Sequence, residues 1–368
     1  MGDNEDNGMS ETTVEEQGPL SQIGSSIKNV FAGIICFILS FVVLWCGATR
    51  VEWAKVFKKA VPVEKAKEGE ASYLTGIATA EEIGDQHLAK GKYLRIEKTP
   101  EVYAYVENKE SKSDTKRKGI SRTKETTTTT TYSYELKWTS SPQKISDFNQ
   151  KFWEKYANSS NINPRITNPV MDEKSETTNA KNCTVGGYSV DLSSARFYSG
   201  GKSQDTLYVK GNKNAPRLGD KRINYVVYPS GQQYTFAGTA SGKKITAYEY
   251  SDKESQLAAA QGEFKDLLKQ LKSSDKLSGM LYFFGGFILM AIGLNMMAGP
   301  ITTLLEFIPF LGEMGAGLIR VVLTIAALIL ATVFYWLIKL WWLWLILVAV
   351  AVIAIILVKK KGAKTATA

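Results

Sequence analysis

The chain has 368 residues, 44% of them hydrophobic, and a formal net charge of +9, figures that an ordinary soluble protein also shows. Three cysteines and one histidine exclude a disulfide framework and a Cys/His zinc site. The basic residues are dispersed among acids, which argues against dedicated nucleic-acid binding. These averages conceal four apolar runs, residues 29–49, 277–305, 321–338 and 340–358, none with a charged side chain. A bilayer core of ~30 Å takes ~20 residues at helical rise, and backbone groups deprived of water there default to helix. The fold class expected is therefore integral membrane: four transmembrane α-helices, one N-terminal and three C-terminal, with a large α+β soluble domain inserted between helices 1 and 2.

Residues 1–26 are acidic, polar and without periodicity, and are expected to be a disordered tail. The first span, 29–49, follows an acidic segment and is too long for a signal peptide, so it reads as a retained anchor. After it, Trp53, Val56, Phe57, Ala60 and Val61 fall on one helical face and Glu52, Lys55, Lys58 and Lys59 on the other. This predicts an interfacial helix over 51–61 whose lysines reach headgroup phosphates.

Residues 50–276 form the extramembrane domain. Short runs rich in Tyr, Val, Ile and Thr predict strands at 73–78, 93–96, 101–107, 132–138, 204–209, 223–228, 234–237 and 244–250. Pro229-Ser230-Gly231 and Ser241-Gly242 read as hairpin turns. Helices are predicted at 148–156 and 255–272, the latter from the apolar face of Leu257, Ala260, Phe264, Leu267, Leu268 and Leu271. Between two of the strands, residues 108–131 hold seven basic residues and six consecutive threonines, and are expected to be a charged solvated loop.

The second span covers 277–298. Residues 299–313, with Pro309 and Glu306, read as an interfacial or re-entrant segment. Spans at 314–338 and 340–358 complete the membrane part, because a single helix from 321 to 358 measures ~57 Å, well beyond the core. The turn is placed near Lys339, amid Trp336, Trp341, Trp342 and Trp344 as an aromatic belt. A basic tail, 359–368, carries Lys359, Lys360, Lys361 and Lys364. That cluster favours cytoplasmic termini, whereas Arg50, Lys55, Lys58 and Lys59 after the first span favour the reverse; the C-terminal cluster is given more weight.

No nucleophile elbow, P-loop or metal signature occurs, so neither catalysis nor a cofactor is expected. Asp85 and the lone His87 lack a nearby nucleophile and are read as loop residues. The positions singled out lie in or beside the membrane: Asn295, Glu306, Glu313, Arg320 and Lys339 as polar residues, Gly286 and Gly293 as packing surfaces. Asn295 reads as a helix–helix hydrogen-bond donor. Glu306, Glu313, Arg320 and Lys339 are read as markers of interface depth, the sharper alternative being an ion or headgroup path. Glu313 and Arg320 stand two helical turns apart, sharing a face without forming a direct pair. Gly286 and Gly293 offer a close-approach surface, intermolecular or intramolecular.

Several local sequences resemble the LUMA family, also called the transmembrane protein 43 family. They are Leu94-Arg95-Ile96-Glu97 followed by Tyr103, Tyr105, Val106 and Glu107; Tyr132-Ser133-Tyr134 with Trp138; Asn163-Pro164; and Gly219-Asp220 with Arg222. The most specific is Gly293-Leu294-Asn295-Met296-Met297 ahead of Phe307-Ile308-Pro309. The resemblance covers about 30–358, and the termini and the basic loop are this chain's own. It implies cytoplasmic or nucleoplasmic termini, a luminal domain, and residence in the endoplasmic reticulum or inner nuclear membrane for a eukaryotic chain, the cytoplasmic membrane for a prokaryotic one. It also implies a self-associating scaffold for other membrane or envelope proteins, without catalytic residues. The expected partners are thus the lipid bilayer, further copies of the chain and such proteins, with no nucleic acid. The alternative is a channel or channel regulator.

Overall fold

The structure, a computed structural model, describes residues 9–118, 123–251, 254–306 and 312–340. The chain begins with β1 (Ser10–Gln17), α1 (Pro19–Thr49), α2 (Trp53–Phe57), β2 (Val61–Pro62), β3 (Ala71–Thr79), β4 (Tyr93–Lys118) and β5 (Thr123–Thr139). Next come α3 (Gln150–Ser159), β6 (Glu176–Asn179), β7 (Cys183–Val185), β8 (Tyr188–Val190), β9 (Ala195–Phe197), β10 (Lys202–Ser203) and β11 (Leu207–Lys210). Strands β12 (Lys221–Pro229), β13 (Gln232–Ser241), β14 (Lys244–Thr246), β15 (Tyr248–Ser251) and β16 (Glu254–Gln261) follow. Helices α4 (Phe264–Met297), α5 (Gly299–Glu306) and α6 (Gly312–Lys339) end the described chain. The contacts divide it into two compact units, one mainly of Glu52–Lys116 and Glu125–Ser273 with the N-terminal strand, the other mainly of Glu16–Val51 and the residues from Ser274 onward.

The extramembrane unit is built on two sheets. One runs in the order β1-β5-β4-β12-β10, with β11 also on β12 and β6 also on β4. In the other, β3 pairs with β13, β13 with β14, β14 with β8, β8 with β7, and β7 with β3 again. That closed ring is a small barrel. Its interior takes Leu74, Val185, Val190, Phe236 and Ile245, all nearly inaccessible. Closure leaves these strands without a free edge over the paired stretch.

The barrel sheet is covered on its outer face as well. β16 sends Leu257 and Ala259 to the barrel core, and Ala258 and Ala260 to a second cluster with Phe57, Leu267 and Leu271. A strand buried on both faces shows no polar alternation, which is why 255–272 reads as a helix from sequence. The structure corrects this: residues 254–261 are strand, and the helix starts at Phe264. The same cluster corrects the interfacial helix. The helix is only Trp53–Phe57, and Phe57 is fully buried beneath the sheet, so its apolar face is spent on protein.

Two further expectations change. Residues 108–131 are not a loop over their described part but the arms of a long β4–β5 hairpin. Alternate threonines of the run pair with β4: Thr130 with Ser111 at 3.0 Å, Thr128 with Ser113 at 2.9 Å, and Thr126 with Thr115 at 3.4 Å. β-Branched side chains favour a pleated strand, and hydroxyl pairs replace the apolar contacts that would normally mark one. The acidic segment 1–26 is likewise not a disordered tail where it is described, since β1 adds to β5 and α1 begins at Pro19. Of the two predicted turns, Ser241-Gly242 joins β13 to β14, with Gly242 at φ 58°. Pro229-Ser230-Gly231 instead joins β12 to β13, which lie in different sheets.

At the base of the hairpin, Tyr105, Tyr132, Tyr134 and Phe148 enclose Phe152 and Trp153 of α3. Asn149 caps α3, its side chain accepting from the Phe152 N–H, and the indole of Trp153 donates to the Pro164 carbonyl at 2.8 Å.

Among the described residues, three helices are long and apolar enough to cross a bilayer, with candidate spans Ile27–Phe57, Phe264–Met297 and Gly317–Lys339. The first is broken after Thr49, so its crossing part is the end of α1. The fourth predicted span, 340–358, and the tail 359–368 lie outside the described residues from position 341 onward, as do 307–311 of the expected re-entrant segment.

Candidate helix interface of the membrane unit

Small residues recur every seventh position on two helices. On α1 they are Gly33, Ser40 and Gly47; on α4 they are Gly279, Gly286 and Gly293. A seven-residue repeat returns to nearly the same helical face, so each set makes one narrow stripe. The stripes meet in antiparallel order. A methyl group on Gly293 would lie 2.7 Å from the Phe37 nitrogen and 2.8 Å from the Gly33 carbonyl oxygen. One on Gly286 would lie 2.5 Å from Leu44 Cγ and 3.3 Å from the Ser40 carbonyl oxygen. At the other end, Gly47 faces Tyr282 and Gly279 faces the Arg50 guanidinium. Ser40 is fully buried between them and turns its hydroxyl back to the Phe37 carbonyl at 2.6 Å.

Gly286 and Gly293 therefore serve packing within the chain. Small residues permit this close backbone approach, and dispersion rather than water exclusion holds helices together in lipid. Around the seam, Leu44, Met290, Ala327 and Ala331 are fully buried, and Phe41 meets Phe334 edge-on with centroids 4.6 Å apart. The opposite faces carry exposed Phe31, Leu281, Leu318 and Val321, as lipid-facing surfaces do.

Arg50 closes the end of α1. Its Nη1 stands 3.5 Å from Asp275 Oδ1, and Nη2 donates to the Asp275 backbone carbonyl. Asn295 links α4 to α6: its Nδ2 donates to the Ala291 carbonyl at 2.8 Å and reaches Thr324 Oγ1 at 3.4 Å. The Thr324 hydroxyl in turn donates to the Arg320 carbonyl at 2.8 Å, so Asn295 and Arg320 are joined through it. Asn295 Oδ1 is a buried acceptor without a hydrogen bond. Lys339 ends α6 with its ammonium 5.2 Å from the centre of the Tyr335 ring. Glu306 closes α5 and Glu313 stands in the first turn of α6.

A family model, transmembrane protein 43, matches residues 196–346. The matched stretch is LUMA-family sequence. It runs from β9 through α6 and includes Gly219-Asp220, Arg222 and the Gly293–Met297 sequence on which the resemblance rests most firmly. Strand β4, the Tyr132-Ser133-Tyr134 sequence, Asn163-Pro164 and all of α1 lie outside it. The LUMA-family stretch thus contributes the α4 side of the glycine seam and the α6 side of the Asn295 contact. No curated protein and no solved structure matches the chain.

The extramembrane unit gathers a second set of polar groups that sequence spacing did not connect. Asp85 accepts N–H bonds from His87 at 2.8 Å and Leu88 at 2.7 Å, and the Tyr225 hydroxyl donates to its Oδ2 at 2.8 Å. Lys98 of β4 lies 3.4 Å from Asp85 and forms a closer ion pair with Glu173, which also holds His87 Nε2 at 3.1 Å. Glu173 comes from the segment between α3 and β6, so the cluster pins that segment to β4 and β12. No group of three His, Cys, Asp or Glu suited to a metal ion occurs among the described residues. The missed half of the seam was visible as the spacing of seven from Gly33 to Gly47. The ionic cluster had no such signal, because its members come from four separate segments.

Proposed function

We propose that the chain is a multi-pass membrane scaffold that organises membrane protein complexes and associates with further copies of itself. The observation that carries this is the route of the chain: a sheet-rich extramembrane region entered from α1 and left through α4, whose first turns lie in the extramembrane core at Leu267 and Leu271. Anchoring at both ends tethers the folded region to the bilayer. The LUMA-family stretch supports the same reading. On this reading the termini lie on the cytoplasmic or nucleoplasmic side, the extramembrane region lies in the lumen or exterior, and the protein resides in the endoplasmic reticulum or inner nuclear membrane of a eukaryote or the cytoplasmic membrane of a prokaryote. Neither catalysis nor a cofactor enters this reading. Because the Gly286–Gly293 face is occupied by α1, copies associate through another surface.

Cross-linking in native membranes tests the scaffold reading: discrete oligomers and co-captured membrane proteins are expected, and a chain that stays monomeric at high density sinks it. The second reading is a channel or channel regulator, favoured by the unbonded acceptor of Asn295 within the helix bundle. In planar bilayers it requires a conductance that Glu306→Gln or Arg320→Gln alters.

A further inference from the structure

The chain carries two Asn-x-Ser/Thr triplets, Asn158-Ser159-Ser160 and Asn182-Cys183-Thr184. That pattern is the acceptor for N-linked glycans when it lies on a protein surface on the luminal side of a secretory membrane. Both triplets fall in the extramembrane unit, and the fold treats them differently.

Asn158 stands in the last turn of α3. The helix buries Phe152, Trp153 and Ala157 and leaves Gln150, Glu154 and Asn158, spaced by four, exposed on its outer face. Helical order ends at Ser159, Ser160 caps it, and Asn161 takes a left-handed φ of 53°. All three residues of the triplet are thus exposed on a terminal turn, the part of a helix that opens most readily. Asn158 also lines a groove of about 760 Å³ between α3 and the segment 163–170. Asn163, Arg165 and Thr167 on its other wall bring an amide, a guanidinium and a hydroxyl suited to sugar hydroxyls. Among the described residues the Asn158 side chain makes no hydrogen bond, so a glycan there has room and breaks none.

Asn182 is held instead. Its amide donates to Glu81, Cys183 is 1% exposed in the barrel core, and Thr184 Oγ1 meets Thr79 Oγ1 at 2.9 Å. A glycan on Asn182 gives up the Glu81 bond, and its triplet leaves β7 only if the barrel opens.

We propose that Asn158 is the site of an N-linked glycan. The co-reactant is an oligosaccharide carried on a lipid pyrophosphate, and the catalyst is the transferase of the host membrane. The Asn158 Nδ2 forms a bond to C1 of the first sugar as the C1–O bond to pyrophosphate breaks. The lipid pyrophosphate leaves with that electron pair, and one amide proton passes to a base of the transferase. The Ser160 hydroxyl is the second recognition group of the triplet. The inference rests on the luminal placement, in the endoplasmic reticulum, given under the proposed function.

The test expresses the full chain in eukaryotic cells and treats it with the amidase that removes N-linked glycans and leaves aspartate. A faster-migrating band is expected after treatment, with peptide mapping that finds position 158 converted from asparagine to aspartate. Asn158→Gln and Ser160→Ala should each lose that glycan, and Ser160→Thr should keep it. A wild-type chain that the amidase does not shift, or an identical shift in Asn158→Gln, overturns the proposal. Asn214→Thr completes a further triplet at the exposed Asn212 and tells two failures apart. A glycan on Asn212 with none on Asn158 leaves the luminal placement standing and removes the Asn158 site alone. A chain with neither loses placement and site together.

Discussion

Arg50, which caps the C-terminal end of α1, holds Asp275 of α4 twice, through its carboxylate at 3.5 Å and through its backbone carbonyl. Both side chains are about 15% exposed, at 16% and 14%, so the pair sits where charge is weakly screened. Arg50→Ala removes both contacts and is expected to destabilise the helix bundle by about 3 kcal/mol. Asp275→Asn keeps the backbone acceptor and costs about 1 kcal/mol. A double-mutant cycle in denaturant unfolding from micelles should return a coupling of about 1–2 kcal/mol; additive effects would dismiss the pair as incidental.

The glycine seam makes a sharper forecast. A side chain at Gly293 collides with the backbone of Phe37, which has no rotamer in which to retreat. Gly293→Ala and Gly286→Leu should each lower the bundle's melting temperature and expose Leu44 and Met290, costing about 2 kcal/mol or more. Gly317→Ala is the control, since nothing lies within 4 Å of its added methyl. Thermal melting of the three variants in one detergent settles the matter, and a melting point unchanged in Gly293→Ala would contradict the seam.

The pH dependence of the extramembrane unit follows from its ionic cluster. The Lys98 hydrogen bond, acting against burial, holds the Glu173 carboxyl below its ordinary 4.5. Burial pushes the Asp85 carboxyl upward, but N–H bonds from His87 and Leu88, the Tyr225 hydroxyl and Lys98 outweigh it and keep it below 3.8. Burial alone would lower Lys98; its two carboxylate partners raise it above 10.5. The carboxylates' contribution is complete above their unfolded values and disappears as pH falls through the lower folded ones. The lysine's contribution is complete below its unfolded value and disappears as pH rises through the raised one. Proteolytic protection of the segment holding Glu173 should thus be level from about pH 5 to 10 and decline on either side. Lys98→Met should begin the acid-side decline at a higher pH, and an unshifted profile would count against the cluster.

Aromatic packing at the hairpin base sets the stability of α3. Trp153 is fully buried and donates its indole N–H to Pro164, so Trp153→Phe leaves that carbonyl unpaired and is expected to cost about 2 kcal/mol. Trp153→Ala should cost about 3–5 kcal/mol by opening a cavity. Equilibrium unfolding monitored by far-ultraviolet circular dichroism distinguishes the two.

Cys183 offers a simple probe of the barrel. It is 1% exposed, and burial raises its thiol pKa to about 12. Maleimide labelling at neutral pH should spare it until the barrel unfolds, because the thiolate is the nucleophile. Prompt labelling of the native chain would refute its placement.

The sequence by itself determined the membrane class, because lipid imposes one requirement that composition alone can satisfy: a long run without charge. It therefore located α1, α4 and α6, and the Gly286 and Gly293 surface, without any knowledge of neighbours. It also found strands where one face is wet, as at Lys221–Pro229 and in the β13–β14 hairpin at Gly242. Only the tertiary structure decided what those surfaces touch. Gly293 is a surface in sequence and becomes a seam only because Gly33 lies opposite. The strand at Glu254–Gln261 hides its period by burying both faces. The threonine run reads as a solvated loop until Ser111 and Ser113 stand across from it. Asp85, Lys98, Glu173 and Tyr225 meet through sheet pairing and loop closure. These are long-range terms, and no local pattern of residue types encodes them.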